Sequence, residues 1–405
     1  MRARTLVSIM SIGLAACGRL EGAGPRNALG DALILGSDRA LVSMDSETGA
    51  ILFAGPGVPA LGTWSPVFAA SAAGEATTLQ ASDAATGDVV SSLELPGSLD
   101  VRVASPDGTL VAMMEPLPAG GSPWIPTPRT STDLVVADPT GSMDPRTYRL
   151  DGNFEPEAFS ADGTGLFMIS YVPPADPTGY RVARLDLDSG KVRRVPSAAK
   201  GLVETMSGTR LEQVVSPDGT MLYTLYTTQP AEYAELRHQA GRPVAFVHTL
   251  SLDEDWAHCV PLPRELWGGD PSDQAMAVSP DGAGLYVVDT ARDVLAVMDT
   301  EELTSERFAL ELPSADTPTR ATVGEDGTLF VATGTEIAAI DPATPEITAT
   351  WTTGAPVTAI GTLPDGLGVA MADRIAVIDT ATGTHLRTIP SPAVENPTYL
   401  GLLSR

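Results

Sequence analysis

The sequence is poor in the residues that carry most enzyme chemistry. Its 405 residues include two cysteines, four histidines and two lysines, Lys191 and Lys200. With only Cys17 and Cys259 there is no disulfide framework, so stability must come from a packed core. No HExxH, Walker-type loop, GxSxG or CxxC occurs, which removes the motif-based protease, nucleotide-hydrolase, serine-hydrolase and thiol-redox readings. Aromatics make up 5% of the chain, and beyond the N-terminus no apolar run is long enough to cross a bilayer. Basic residues are outnumbered 51 to 25, for a net charge of −26. So acidic a surface repels phosphate backbones and argues against nucleic-acid binding. Solubility or salt adaptation accounts for the acidity.

Glycine and proline are abundant, at 39 and 34 residues, and they punctuate short apolar runs. Ala275–Leu312 is the clearest stretch. Ala275–Val278, Gly284–Asp289, Val294–Met298 and Arg307–Leu312 are short apolar runs separated by turns, read at the period of a strand. Pro280-Asp281-Gly282 between the first two is a tight-turn signal, because Gly tolerates positive φ and Asp caps its own turn. The stretch predicts a four-stranded antiparallel unit of about forty residues.

The chain repeats that unit. One landmark is the first turn, at Ser105–Gly108, Ser160–Gly163, Ser216–Gly219, Ser279–Gly282, Gly324–Gly327 and Leu363–Gly366. The other is an Asp-initiated turn before the last strand, at Asp45, Asp83, Asp138, Asp186, Asp299, Asp341 and Asp379, with a degenerate copy at Asp253. Eight copies at spacings of 38 to 67 residues form a radial repeat signature. The fold expected is an all-β propeller of four-stranded antiparallel blades. Eight blades are counted, seven being the alternative if the weak Leu61–Leu95 unit is not one. The first unit, from Asp31, has only three strands (Ala32–Leu35, Ala40–Met44 and Ala50–Ala54), and the chain ends on an orphan strand, Thr398–Leu403. Pairing the last strand with the first blade would close the ring and leave no open edge.

Met1–Cys17 has a basic start (Arg2, Arg4), a short apolar stretch (Leu6–Leu14) and small residues after it, the pattern of an export signal. Its end, Leu14-Ala15-Ala16-Cys17, resembles the lipobox of bacterial lipoproteins. That resemblance implies a diacylated Cys17 as the mature N-terminus, and outer-membrane sorting facing the periplasm in a Gram-negative host, because Gly18 rather than Asp follows. The organisation expected is a signal peptide over 1–16, a lipid-anchored tether over 17–30, flexible by composition, and one propeller over 31–405. Cys259 then has no second cysteine to pair with and is expected to be a packed thiol.

VSPDGAGLYVVD (Val278–Asp289), VVSPDGTMLYTL (Val214–Leu225) and IAVIDTATG (Ile375–Gly383) resemble the repeats of YVTN/YncE-type β-propellers, cousins of the WD40-like and quinoprotein-type propellers. The resemblance covers roughly Asp31–Arg405. It implies fold more than function, since such propellers serve as binding platforms, lactonases and dehydrogenase scaffolds alike.

In an up-down blade both landmark turns share one face, so Asp107, Asp218 and Asp281 read as turn-builders. The opposite face receives the long connections: Glu115–Thr132, Val172–Gly179, Pro196–Thr209, Thr227–Pro243 and Pro263–Gln274. All five fall in the third to sixth units. Long loops on a rigid scaffold are where binding sits most often. The candidate binding rim is Trp124, Arg129, Glu204, Tyr233, Arg237, His238, Arg242, Trp267, Asp270 and Asp273. Trp, Tyr and Arg are typical interface anchors. Asp270 and Asp273 in the run Gly268–Gln274 could offer oxygen ligands to calcium, or simply cap a loop. No cofactor is otherwise indicated, and no catalytic residue is assigned. His248 lies inside a strand and His258 adjoins Cys259, too few ligands for a metal site. The function expected is a non-catalytic binding or scaffold module, a monomer, taking a protein or glycan partner on the long-loop face. The alternative is a metal-dependent lactonase-like or quinoprotein-like enzyme, which predicts a carboxylate or aromatic cluster at the axial mouth of that face.

Overall fold

The computed structural model describes residues 31–36, 41–60, 63–118, 127–197, 205–206, 209–227, 245–268, 270–391, 397 and 399–403. These form eight four-stranded antiparallel sheets arranged as a β-propeller. The only helical pieces among them are two 3₁₀ turns, Arg264–Leu266 and Pro271–Asp273.

The first blade is closed as the sequence predicts. Tyr399–Leu403 supplies its inner strand and pairs antiparallel with Ala32–Gly36, which pairs onward to Leu41–Asp45 and Ile51–Gly55. The weak unit is a true blade with a two-residue inner strand, Val58–Pro59, beside Val67–Ala73, Ala76–Ser82 and Val89–Pro96. The remaining inner strands, from the third blade to the eighth, are Asp100–Ala104, Asn153–Phe159, Thr209–Val215, Gln274–Val278, Arg320–Val323 and Ala359–Leu363.

In the sixth blade the outer strand is Thr304–Ala309, three residues ahead of the Arg307–Leu312 run that alternation suggests. Leu303 adopts φ 54°, which closes the turn early and pairs Thr304 with Asp299.

The core lies between blades. Second and third strands are buried on both faces, which is why Leu285–Asp289 and Val294–Ala296 read as near-continuous apolar runs. Outer strands keep one wet face, and Glu346–Thr352 alternates exposed and half-buried along its length. A typical inter-blade layer sets Phe167, Ile169 and Tyr171 of the fourth blade against Leu222, Tyr226 and Phe246 of the fifth. Burying each such side chain contributes about 1.5–3 kcal/mol.

The landmark turns are built from their own side chains. Ser105 Oγ donates to Asp107 Oδ1 at 2.6 Å, and that oxygen also accepts the Thr109 amide at 3.0 Å. Gly108, at φ 70°, completes the turn where a side chain would be strained. At the other landmark Asp45 Oδ1 accepts the Thr48 amide and hydroxyl. Both turn types stand on one face, and the described ends of the long connections of the third to sixth blades stand on the other.

Candidate functional site

Of the predicted rim, Arg129, Trp267, Asp270 and Asp273 are described. Trp124, Glu204, Tyr233, Arg237, His238 and Arg242, with the lipidation candidate Cys17, lie outside the described residues.

Arg129 turns inward. Its Nε donates to Asn153 Oδ1 at 2.8 Å, and one Nη2 donates to the Phe154 carbonyl at 2.9 Å and to Glu155 Oε2 at 2.7 Å. It thereby fastens the long loop of the third blade to the inner strand of the fourth. Trp267 lies against the core between the fifth and sixth blades, with its indole N–H given to the Leu262 carbonyl at 2.9 Å. Asp270 caps the short turn Pro271–Asp273, accepting the Ser272 amide at 3.0 Å and hydroxyl at 2.8 Å. Those two bonds hold its carboxyl below the usual range. Asp273 goes the other way, raised by burial and then by the neighbouring Asp289 and Asp270 carboxylates. Among the described residues no three His, Cys, Asp or Glu side chains gather as a metal site.

The structure adds a second set of residues, on the inner strands around the axis. Arg102 and Glu155 form an ion pair at 3.0 Å between the third and fourth blades, both nearly buried. A second Arg102 nitrogen donates to the Glu115 carbonyl at 2.6 Å, at the start of the long loop. In the fifth blade Gln213 Nε2 donates to Thr224 Oγ1 at 3.0 Å and reaches Glu157 Oε1 at 3.4 Å. Glu212 reaches forward to the sixth blade, where Oε2 accepts the Met276 amide at 2.7 Å. Burial pushes the Glu212 carboxyl up to about 7, against the pull of that amide and of Arg320. Arg320 ties the seventh blade to the Thr358 carbonyl at 2.8 Å and the Pro397 carbonyl at 3.2 Å.

The backbone explains why these side chains stand there. Three consecutive inner strands carry one extra residue each. Val101 and Val103 pair with successive partners, so Arg102 is extra; Glu157 is extra between Pro156 and Ala158, and Leu211 between Arg210 and Glu212. A bulge re-aims the residues around it and disturbs the ladder locally. The three bulged blades, third to fifth, are among those with the long loops.

Behind Glu157 runs an aromatic stack along the same end of the fourth and fifth blades. Tyr180 stacks on Tyr226 with ring centres 5.1 Å apart, and Tyr226 on Phe246 at 5.2 Å. Tyr171 meets Tyr180 edge-on at 6.2 Å, and His248 meets Tyr226 in the same way. Burial drives the Tyr180 hydroxyl well above its ordinary range, with Tyr226, Cys259, Tyr171 and Glu157 adding to it, so it stays a neutral phenol. His248 is packed inside its strand, and Cys259 lies half-buried against the same core.

This arrangement can bind and orient. Glu155 accepts one hydrogen bond from Arg129 and is ion-paired with Arg102, whereas Glu212 keeps a titratable carboxyl with one oxygen bonded to the backbone. The sequence carries a signal for the set. Arg102, Glu155, Glu157 and Glu212 sit just before a landmark turn, where the corresponding strands Gln274–Val278 and Ala359–Leu363 hold no charge. On the opposite face a cleft of about 620 Å³ lies between the turns of the fifth and sixth blades, lined by Tyr223, Trp256, Asp218 and Asp281 among others.

No protein-family model matches the chain, and no curated protein matches its sequence. Among solved structures it is similar to the dihydro-heme d1 dehydrogenase NirN in complex with DHE, with 15% identity over 96% of this chain and 78% of that one and a TM-score of 0.54. It is also similar to apo AztD from Citrobacter koseri, with 12% identity over 92% and 98% of the two chains and a TM-score of 0.57. At such identity the likeness is one of fold.

Proposed function

We propose that this protein is an exported, lipid-anchored propeller of YVTN/YncE-like repeats that binds a protein or glycan partner on its long-loop face, without catalysis. The coincidence of the inner-strand bulges with the long loops carries this reading. Charged side chains at the axis and the elaborated connections occupy overlapping sectors, the third to fifth and third to sixth blades. Elaboration of one sector of one face is what recognition of a single partner requires.

In-cell photocrosslinking tests it. Crosslinking residues placed at Asp176, Arg264 and Asp270 on the long-loop face are expected to capture a common partner. The same residue at Asp281 and Asp326 on the turn face is expected to capture none of it. Capture only from the turn face would overturn the reading.

A second reading, a lactonase-like or quinoprotein-like enzyme, draws support from Glu212, whose carboxyl near 7 is suited to proton transfer at neutral pH. A thermal-shift panel of divalent ions, sugar lactones and quinone cofactors tests it. A ligand at a hundred times its Kd adds about 2.7 kcal/mol. A shift that EDTA reverses, followed by turnover of the stabilising ligand that Glu212→Gln abolishes, would favour the enzyme over the binding module.

A further inference from the structure

We propose that the turn-face edge of the first and second blades, with the eighth beside them, rests on the bilayer that carries the lipid anchor, so that the long-loop mouth points away from the membrane. This rests on the lipid-anchor reading of Cys17.

The exposed large apolar side chains among the described residues are Ile51, Val89, Val90, Met143, Val192 and Leu386. Every one follows an Asp-initiated turn, and all but Met143, which lies three residues ahead of Arg146–Asp151, stand at or next to the start of an outer strand. Four of the six, exposed by 48 to 59%, fall in three adjacent blades, the eighth, first and second. The outer strands there run edge to tail. The Leu52 carbonyl sits against Gly87, so close that a Cβ would stand 1.9 Å from it, and Val89 is two residues beyond. Ile51 and the Val89–Val90 pair therefore share one patch. Gly49 abuts the carbonyl of Pro390, the last residue of the outer strand His385–Pro390, so Leu386 lies four residues back along the neighbouring strand.

One feature accompanies these residues. In each of the three blades the outer strand carries an extra residue near its start: Leu52, Val90 and Leu386. The seventh blade has the same bulge, but there the extra residue is Thr348, whose hydroxyl donates to the Ala339 carbonyl at 3.1 Å. The bulge recurs on all four; the apolar residue is kept only around the first blade.

That is where the chain joins the propeller. The Asp31 carbonyl accepts the Ser46 amide at 3.0 Å, beside the turn that leads into Ile51. Cys17 lies fourteen residues earlier. At about 3.5 Å per residue, that length reaches at most about 50 Å. Acylation at Cys17 thus confines this edge near the bilayer, where a patch too small to bind alone has a high effective concentration. Glu47 and Asp88, both exposed, flank the patch and oppose anionic headgroups, so a neutral phospholipid surface fits it best.

The test uses the full, processed protein on phosphatidylcholine vesicles. In a Cys259→Ser background, nitroxide labels are placed at Ile51→Cys, Val90→Cys, Leu386→Cys, Thr348→Cys and Asp176→Cys. Labels at 51, 90 and 386 are expected to gain oxygen access and to lose nickel-chelate access by at least twofold on vesicles. Labels at 348 and 176 are expected to stay water-accessible. Equal water access at all five positions overturns the proposal. So does shielding of 51, 90 and 386 without vesicles, which would mark a protein contact. The mass of the N-terminal peptide, measured on the same sample, separates the two failures. An unacylated Cys17 overturns the anchor reading itself, whereas an acylated Cys17 with water-exposed labels overturns only the membrane contact.

Discussion

Arg102 and Glu155 meet across the boundary between the third and fourth blades, Nε to Oε1 at 3.0 Å, with about one-twentieth of each side chain exposed. Arg129 binds the other oxygen of the same carboxylate at 2.7 Å. One buried carboxylate is therefore shared by two guanidinium groups, and Asp100, 3.5 Å from Arg102, supplies a second negative charge. Glu155→Gln removes the charge but not the shape. Leaving a buried partner wholly uncompensated costs about 3–5 kcal/mol. Arg102 keeps Asp100 at 3.5 Å, so urea unfolding is expected to show a loss toward the lower end of that range. The exposed pair Arg149–Asp133 is the control, and Arg149→Ala should cost less than about 1 kcal/mol.

Glu212 predicts a pH dependence of the opposite sign to most carboxylates. Its folded pKa, about 7, lies above the ordinary 4.5, so between those values the folded state binds more protons than the unfolded. The stability this group contributes is full below about pH 4.5 and is lost as pH rises through 7. Glu212→Gln stays neutral throughout. Urea midpoints from pH 5 to 8 should fall with pH in the native protein and flatten in the variant. An unchanged slope would place the titrating group elsewhere.

Much of the fold was legible in the sequence because turns advertise themselves. Ser-Pro-Asp-Gly and the Asp-initiated turns are satisfied by their own side chains, so the same residues recur wherever the turn does. Ring closure was legible too, since three strands at one end and one at the other leave a single way to remove an edge. The axial residues were not. Glu155 and Glu157 lie in NFEPEAF, whose alternation reads as an ordinary half-wet strand. Only the neighbouring blade makes their outward side an interior one, and the bulge at Glu157 shifts the phase without a glycine to mark it. Arg129 looked like a surface anchor for the converse reason, as its partner lies 26 residues away in the next blade.

The turn aspartates predict an acid limb. Asp162 is held below its ordinary range first by the Ser160 hydroxyl, and Asp218 by Ser216. For Asp107 burial pushes upward and is outweighed by Ser105 and Thr109. Groups with depressed pKa contribute stability that is present above about 3.8 and lost as pH falls through the folded value. Together with Glu212, these groups favour the folded state most in mildly acidic solution. Ser160→Ala and Ser216→Ala combined should raise the acid-unfolding midpoint, followed by circular dichroism from pH 5 to 2.5. Coincident acid curves for variant and native protein would count against the turn bonds as the cause.

The seam between the eighth and first blades is tight enough to need a glycine. Gly361 lies in the inner strand of the eighth blade, and a Cβ there would stand 1.9 Å from the Leu400 carbonyl oxygen. Leu400 belongs to the strand that completes the first blade, next to Tyr399, whose ring stacks on Trp64 at 3.9 Å. Neither backbone has a flexible side-chain end to yield, so Gly361→Ala must separate the two inner strands. Overpacking of this kind costs about 1–3 kcal/mol, and here the strain acts on the strand that joins the two ends of the chain. Amide exchange at Leu400–Leu402 should accelerate more than exchange elsewhere. Gly36→Ala is the matched control. It lies in the paired first strand with nothing within 4 Å of a built Cβ, and it should leave the midpoint unchanged or slightly raised. Equal effects of the two substitutions would show that strand propensity, not the close approach of the first and eighth blades, fixes the ring.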